Sequence, residues 1–155
     1  MPPTADENKA TIRAHIEDAI NAGDAARTAQ GYAADTINHA DPRNPRAGRA
    51  GVERAWRSLY TAFPDWQFVI EDIAADGDMV WCRVTLRGTH LGTPELPVLG
   101  GLLVGVPPTG RRIEVQHVHI FRLRDGEITE HAAVRDDLRM GRQLGLIPAP
   151  VPATV

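Results

Sequence analysis

The chain has 155 residues, 43% hydrophobic and 24% charged, the balance of an ordinary globular protein long enough to bury one core. A formal net charge of −3 excludes the basic footprint that nucleic acid or an anionic membrane surface would require. The single cysteine, Cys82, excludes an intrachain disulfide and a cysteine zinc cluster, and its apolar surroundings favour a buried small side chain over a nucleophile.

The N-terminal segment carries no apolar signal core, and no run reaches membrane-spanning length, so a cytoplasmic protein with no membrane partner is expected. One domain is expected over 1–148, followed by a disordered tail at 149–155 rich in Ala, Pro and Val. Thr4 and Glu7 form a capping box ahead of Ile12, Ile16, Ala19 and Ile20, and Gly23 closes this first helix. Asp24 can open a second short helix reaching about Ala33. Asp35–His39 reads as a short strand running into a proline-broken loop. Asn38 and His39 either line a site there or only close a turn.

Val52, Ala55, Trp56, Leu59, Tyr60 and Phe63 recur at helical spacing up to Pro64. Trp56, Tyr60 and Phe63 are therefore core residues, the wall of a ligand pocket, or both. Trp66, Phe68 and Ile70 alternate as a strand, and Asp76-Gly77-Asp78 turns the chain into a long strand from Met79 to His90. Its two faces are Val80, Cys82, Val84, Leu86 and Trp81, Arg83, Thr85, Arg87. Leu91–Gly110 is a long apolar loop rich in glycine and proline, of the kind used as a lid, a pocket rim or a subunit contact.

Ile113, Val115, His117, His119, Phe121 and Leu123 alternate with polar and apolar partners in the most regular strand pattern of the chain. Asp125-Gly126 supplies a hairpin turn, and Glu127–Arg135 returns as the adjacent strand carrying His131. Asp136 can cap a last helix that ends near Gly145 and Pro148. Parity sets His117 and His119 on the face opposite Arg122, so these three cannot share a pocket without a bulge. The element order predicts an α+β fold in which a curved antiparallel sheet wraps as a cone over the N-terminal helices. No GxGxxG or P-loop pattern occurs.

Certain pieces, taken in order and at their spacing, carry a resemblance to the SnoaL-like polyketide cyclases of the nuclear-transport-factor-2-like superfamily. They are Asn38-His39, Phe63-Pro64-Asp65, Gly88-Thr89-His90-Leu91-Gly92, Pro107-Pro108-Thr109-Gly110, Ile120-Phe121-Arg122 with Asp125-Gly126, and Glu130-His131 running on to Gln143-Leu144-Gly145. The resemblance implies an enzyme that uses neither metal nor organic cofactor and closes a polyketide ring by intramolecular aldol condensation, with an aspartate and a nearby histidine as acid and base. His119 matches the histidine position, and Asp136 is the candidate acid. Many relatives read Glu-His-Trp-Asp where this chain has Glu130-His131-Ala132-Ala133, so Ala133 stands where a carboxylate could be expected.

The site expected on this basis pairs His119 with Asp136 for proton transfer on a small, hydrophobic, carbonyl-rich substrate. Asn38, His39, Trp56, Tyr60, Phe63, His90, His117 and His131 surround it. The chemistry is consistent with the residue types. Imidazole, near 6.5, needs little adjustment to act near neutrality, whereas a carboxylate near 4 needs burial. A homodimer is expected, paired through the outer face of the sheet with Leu91–Val106 adding apolar surface. Three alternatives stay open. The His117-Val118-His119 pattern resembles a strand metal site but lacks a glutamate soon after it. The same scaffold could run cofactor-free hydroxylation or epoxide opening on a polycyclic or polyether substrate. It could also be a non-catalytic binding module.

Overall fold

The computed structural model describes residues 1–151; residues 152–155 of the tail lie outside that range. Four helices, α1 (Ala5–Ala14), α2 (Ala25–Gln30), α3 (Gly48–Ala62) and α4 (Asp137–Gln143), accompany five strands. The strands are β1 (Tyr32–Asn38), β2 (Gln67–Asp76), β3 (Met79–Thr89), β4 (Arg112–Arg124) and β5 (Glu127–Arg135). They form one sheet in the order β1-β5-β4-β3-β2.

α1 opens on the expected capping box. Thr4 Oγ1 accepts from the Glu7 N–H at 3.2 Å, and Glu7 Oε2 accepts from the Thr4 N–H at 2.7 Å. The helix continues through a π turn at His15–Ala19 and a tighter turn at Ile20–Ala22 until Gly23, whose φ of 71° ends it. Ile12, Ile16 and Ile20 are fully buried, and α1 packs on β2 and β3. Asn8 ties its start to the β2–β3 turn by donating to the Gly77 carbonyl at 3.0 Å.

β1 begins at Tyr32, three residues before the strand read from sequence, and α2 is correspondingly shorter than expected. The cause is tertiary pairing. Tyr32 pairs with Ile128, and the Ile128 N–H donates to the Gly31 carbonyl at 2.9 Å, so β5 draws this alanine-rich segment into the sheet. β1 and β5 run parallel, whereas every other neighbouring pair is antiparallel. The sheet is therefore mixed at one edge rather than antiparallel throughout. Register shifts at Ile70/Asp72 and at Arg122/Leu123 add the bulges that let a five-stranded sheet curl around the helices.

The inner face of the sheet follows the predicted alternation. Val80, Cys82, Val84 and Leu86 on β3 are fully buried, and Ile113, Val115, His117, His119, Phe121 and Leu123 on β4 are buried beside them. Asp125 and Gly126 both take positive φ (52° and 82°), the geometry of a two-residue turn matched to strand twist. α3 packs on β1 and α2 and starts a turn earlier than its apolar spacing indicates. Gly48 permits that entry, since a Cβ there would sit 2.4 Å from the Ala34 carbonyl oxygen of β1. Phe63 is fully buried at the end of α3, while Trp56 is half-buried, tilted against Tyr60 and edge to face with Trp66. The long apolar loop is pinned over α3. Leu91 N–H donates to the Ala62 carbonyl at 2.9 Å, Leu96 N–H to Ser58 Oγ at 2.9 Å, and Leu103 is fully buried.

Candidate active site

Between α3 and the inner face of β4 and β5 lies a cavity of about 340 Å³. α3 supplies Val52, Trp56 and Leu59 as one wall, and Trp66 and Phe68 close the β2 side. The loop residues Leu96–Leu99 form the rim, one of the three roles open to that loop from its composition. Against these apolar walls the opposite face presents His117, His119 and His131 with Asn38, Ala133 and Arg135.

Register explains the grouping. On β4 and β5, His117 pairs with Arg135, His119 with Ala133 and Phe121 with His131, all on the inner face. Asn38 reaches His131 because the two are partners in the parallel β1–β5 pair. His131 Nε2 lies 2.9 Å from His119 Nδ1, with the two rings within 3° of parallel. His131 Nδ1 lies 3.0 Å from Asn38 Oδ1. Phe121 stacks on His131 at 5.0 Å and Phe68 lies 4.9 Å from His119, ring centre to ring centre, so the imidazoles are held between aromatic faces.

Burial keeps all three histidines neutral. It lowers His117 to about 4 and His131 to about 3, and lowers His119 well below the ordinary 6.5, helped by the neighbouring His131, His117 and Arg135. His119 Nε2 and both ring nitrogens of His117 are buried without a hydrogen-bond partner. Arg135 lines the cavity and is held by two 3.1 Å bonds to Asp137. A neutral imidazole with a buried, unengaged nitrogen on an apolar cavity can take a proton from a carbon acid, and a nearby guanidinium can hold the oxygen that gains charge.

The expected residues divide cleanly. Asn38, Trp56, His117, His119 and His131 line the cavity, and His39, Tyr60, Phe63, His90 and Asp136 do not. Asp136 is the N-cap of α4, exposed, with its Oδ1 accepting the Arg139 N–H at 3.0 Å, so the geometry does not bring it to His119. One residue past Arg135, it lies beyond the end of the inward-facing set on β5. Tyr60 donates to the Ile20 carbonyl at 2.8 Å, which anchors α3 to the first helix. Phe63 is core, packed on Gly88 and His90. His90 Nδ1 accepts the Thr109 N–H at 3.2 Å and clasps the two ends of the long loop. His39 forms an exposed pair with Glu130 at 3.2 Å. Arg122 pairs with Asp78 and Glu130, and Arg83 with Asp72, on the outer surface as parity requires.

Sequence reasoning left the long loop open as a rim but passed over Phe68 and Arg135 as cavity residues. Period-two counting from His131 through Ala133 reaches Arg135, and counting from Trp66 reaches Phe68, so both signals were present in the chain. Among the described residues, no group of three or more His, Cys, Asp or Glu side chains has the geometry to hold a metal ion.

Comparison with known proteins gives the same fold and family. The chain is 36% identical over 112 residues to aklanonic acid methyl ester cyclase DauD of Streptomyces sp. (strain C5), a match covering 71% of this chain and 60% of that protein. Among solved structures, IdmH of Streptomyces antibioticus, a candidate polyketide cyclase, superposes with a TM-score of 0.70 at 33% identity, over 90% of this chain and 99% of that one. AclR of Streptomyces galilaeus, a candidate hydroxylase, superposes with a TM-score of 0.78 at 26% identity, over 96% and 87%. The family model described as SnoaL-like polyketide cyclase matches residues 10–144, and the chain belongs to that family.

Proposed function

We propose that this protein is a cofactor-independent polyketide cyclase that closes a ring by intramolecular aldol addition, with His119 as the general base. The observation that carries the reading is the unpartnered Nε2 of buried His119, on an apolar cavity with Arg135 and His117 beside it. His119 Nε2 removes a proton from a carbon flanked by two carbonyls, and the substrate's own oxygens spread the resulting charge. The enolate carbon then bonds to a ketone carbon of the same molecule, and the alkoxide formed there takes the proton back. No atoms are gained or lost.

The low basicity of a buried imidazole fits this chemistry. Burial disfavours an isolated imidazolium, but the proton arrives together with the enolate's negative charge, and the pair forms in a site that screens it poorly. Trp56, Trp66 and Phe68 suit a flat, carbonyl-rich aromatic substrate. The test is turnover of an anthraquinone-type polyketide β-keto ester to a product of unchanged mass. His119→Ala should lower the rate by about 10²–10⁴-fold, the usual yield of a positioned acid or base. Undiminished turnover by that variant would refute the assignment.

The likeness to AclR favours a second reading, hydroxylation of the same substrate class, in which dioxygen supplies one oxygen atom and a separate two-electron reductant carries the other away as water. A product heavier by one oxygen atom would establish it. The same proposal places the enzyme in the cytoplasm as a homodimer. Val134 on the outer sheet face is 67% exposed and Leu138 on α4 52%, apolar surface that a second copy would cover. Sedimentation at the mass of one 16.9 kDa chain would rule the dimer out.

A further inference from the structure

We infer that Asn38 and His131 are positioning residues that force the proton of neutral His119 onto Nδ1, leaving a lone pair on Nε2 for the substrate. The inference rests on the reading of His119 as the base. The Ala40 N–H donates to Asn38 Oδ1 at 3.1 Å. An N–H must face an acceptor, so this contact fixes which end of the Asn38 amide is oxygen. His131 Nδ1 lies 3.0 Å from that same oxygen, which can only accept, so Nδ1 of His131 carries the proton. Neutral His131 then has its lone pair on Nε2. That atom lies 2.9 Å from His119 Nδ1, which must in turn be the donor. The proton on His119 is thereby assigned to Nδ1, and Nε2 is the basic atom.

The chain of three is built into the sheet. Asn38 and His131 are register partners, and the His39 N–H also donates to the His131 carbonyl at 2.8 Å. Phe121 and Tyr32 pack the His131 ring from two sides, at 5.0 and 6.3 Å. The near-coplanar imidazoles meet edge to edge through their nitrogens, as an in-plane hydrogen bond requires. Ala133, the partner of His119 across the strands, supplies no acceptor, so orientation comes from β5 and β1 instead.

The relay matters because a histidine in water prefers its proton on Nε2. That tautomer of His119 would point an N–H at the substrate carbon and could not act as a base. Turning the relay around would set two lone pairs against each other at Asn38 Oδ1 and His131 Nδ1. Losing one hydrogen bond of ordinary net strength shifts a tautomer ratio by roughly tenfold. During proton abstraction the Nδ1–H of His119 keeps its acceptor, so the imidazolium forms without a proton leaving His131.

The test reads the tautomer directly, without substrate. Protein labelled with ¹⁵N in its histidines is studied by long-range ¹H–¹⁵N correlation near pH 8, where the buried rings are neutral. His119 should show a protonated-type Nδ1 and an unprotonated-type Nε2, and a wild-type spectrum with the proton on Nε2 overturns the relay. Asn38→Leu removes the acceptor and should move His119 toward the Nε2–H form, with kcat falling about tenfold or more while KM stays nearly constant. Asn38→Asp, which keeps an accepting oxygen, should restore the wild-type pattern. An unchanged His119 spectrum in Asn38→Leu also overturns the proposal, and the wild-type spectrum decides it even if that variant fails to fold. The cyclase reading is tested apart from this: full turnover by His119→Ala refutes the base, whatever tautomer the spectrum shows.

Discussion

Acidification between pH 7 and 5 should unfold this protein, through histidines rather than carboxylates. His15, His117 and His131 are buried and neutral, held to about 4, 4 and 3, while the same residues in the unfolded chain titrate near 6.5. As the pH falls through 6.5 the unfolded state takes up protons that the folded state refuses. Stability present above 6.5 is therefore lost as the pH drops toward the folded values, and the loss stops once both states are protonated. At pH 5 each site costs about 2 kcal/mol relative to pH 8, and that figure barely depends on the folded value so long as it lies well under 5. Three sites give about 6 kcal/mol, as large as the whole stability of many domains. His119, also held low, adds to the loss. Carboxylates in the unfolded chain remain ionised in this window, so they contribute little to it. Urea midpoints measured at half-unit pH steps should fall steeply from pH 7 to 5. His15→Leu, outside the cavity, should flatten the slope by about one site. A midpoint flat across the window would refute the claim that these rings are buried and neutral.

Other perturbations separate framework from chemistry. Asp136→Ala removes the α4 cap and should cost about 1 kcal/mol in urea unfolding with turnover retained, while Asp136→Asn, still able to cap, should be nearly neutral in both. Phe63→Ala empties a fully buried site between Gly88, His90 and Trp66 and should cost about 3–5 kcal/mol by the same measurement. Ala133→Asp sets a carboxylate across the strands from His119 and should raise the His119 pKa, seen as an upward-shifted titration of its Hε1 proton resonance. Loss of Arg135 as Arg135→Gln should lower kcat more than it raises KM, since its charge would act on the developing enolate; a pure KM effect would assign it to ground-state binding.

The parts of this fold legible in the chain are those encoded by local period. The run from Ile113 to Leu123 alternates without a break, Asp125-Gly126 turns it, and each odd-numbered side chain on β4 faces the core as counted. α3 was legible for the same reason, its stripe from Val52 to Leu59 matching one helix face. The parallel β1–β5 edge was not, because nothing within Tyr32–Asn38 states which strand it will join. That one pairing brings Asn38 to His131 across 93 residues of chain, so the relay was hidden although each member had been singled out. Asp136 had two physical uses, cap and base, that sequence weighs equally; only the bond to the Arg139 N–H decides where its side chain goes. His90 and Tyr60 sit in the right types of segment, but His90 commits its Nδ1 to Thr109 and Tyr60 its hydroxyl to the Ile20 carbonyl. Such commitments are tertiary and leave no trace in spacing.

The buried histidines also show why burial alone does not identify a reacting group. An unpartnered polar atom in the interior costs about 1–3 kcal/mol, so a fold retains one only where the loss is offset or useful. His15 and His90 each leave Nε2 without a partner, yet neither ring lines the cavity. His131 does line it, but both of its nitrogens are engaged, one with Asn38 and one with His119, which is the behaviour of a support. His117 is unengaged on both nitrogens and therefore has no imposed tautomer; it can turn either a donor or an acceptor toward an oxygen. His119 alone combines a place in the cavity wall, one nitrogen fixed by a neighbour and the other without a partner. A base must have its proton-accepting atom both oriented and unoccupied, and in this sheet only that position meets both conditions.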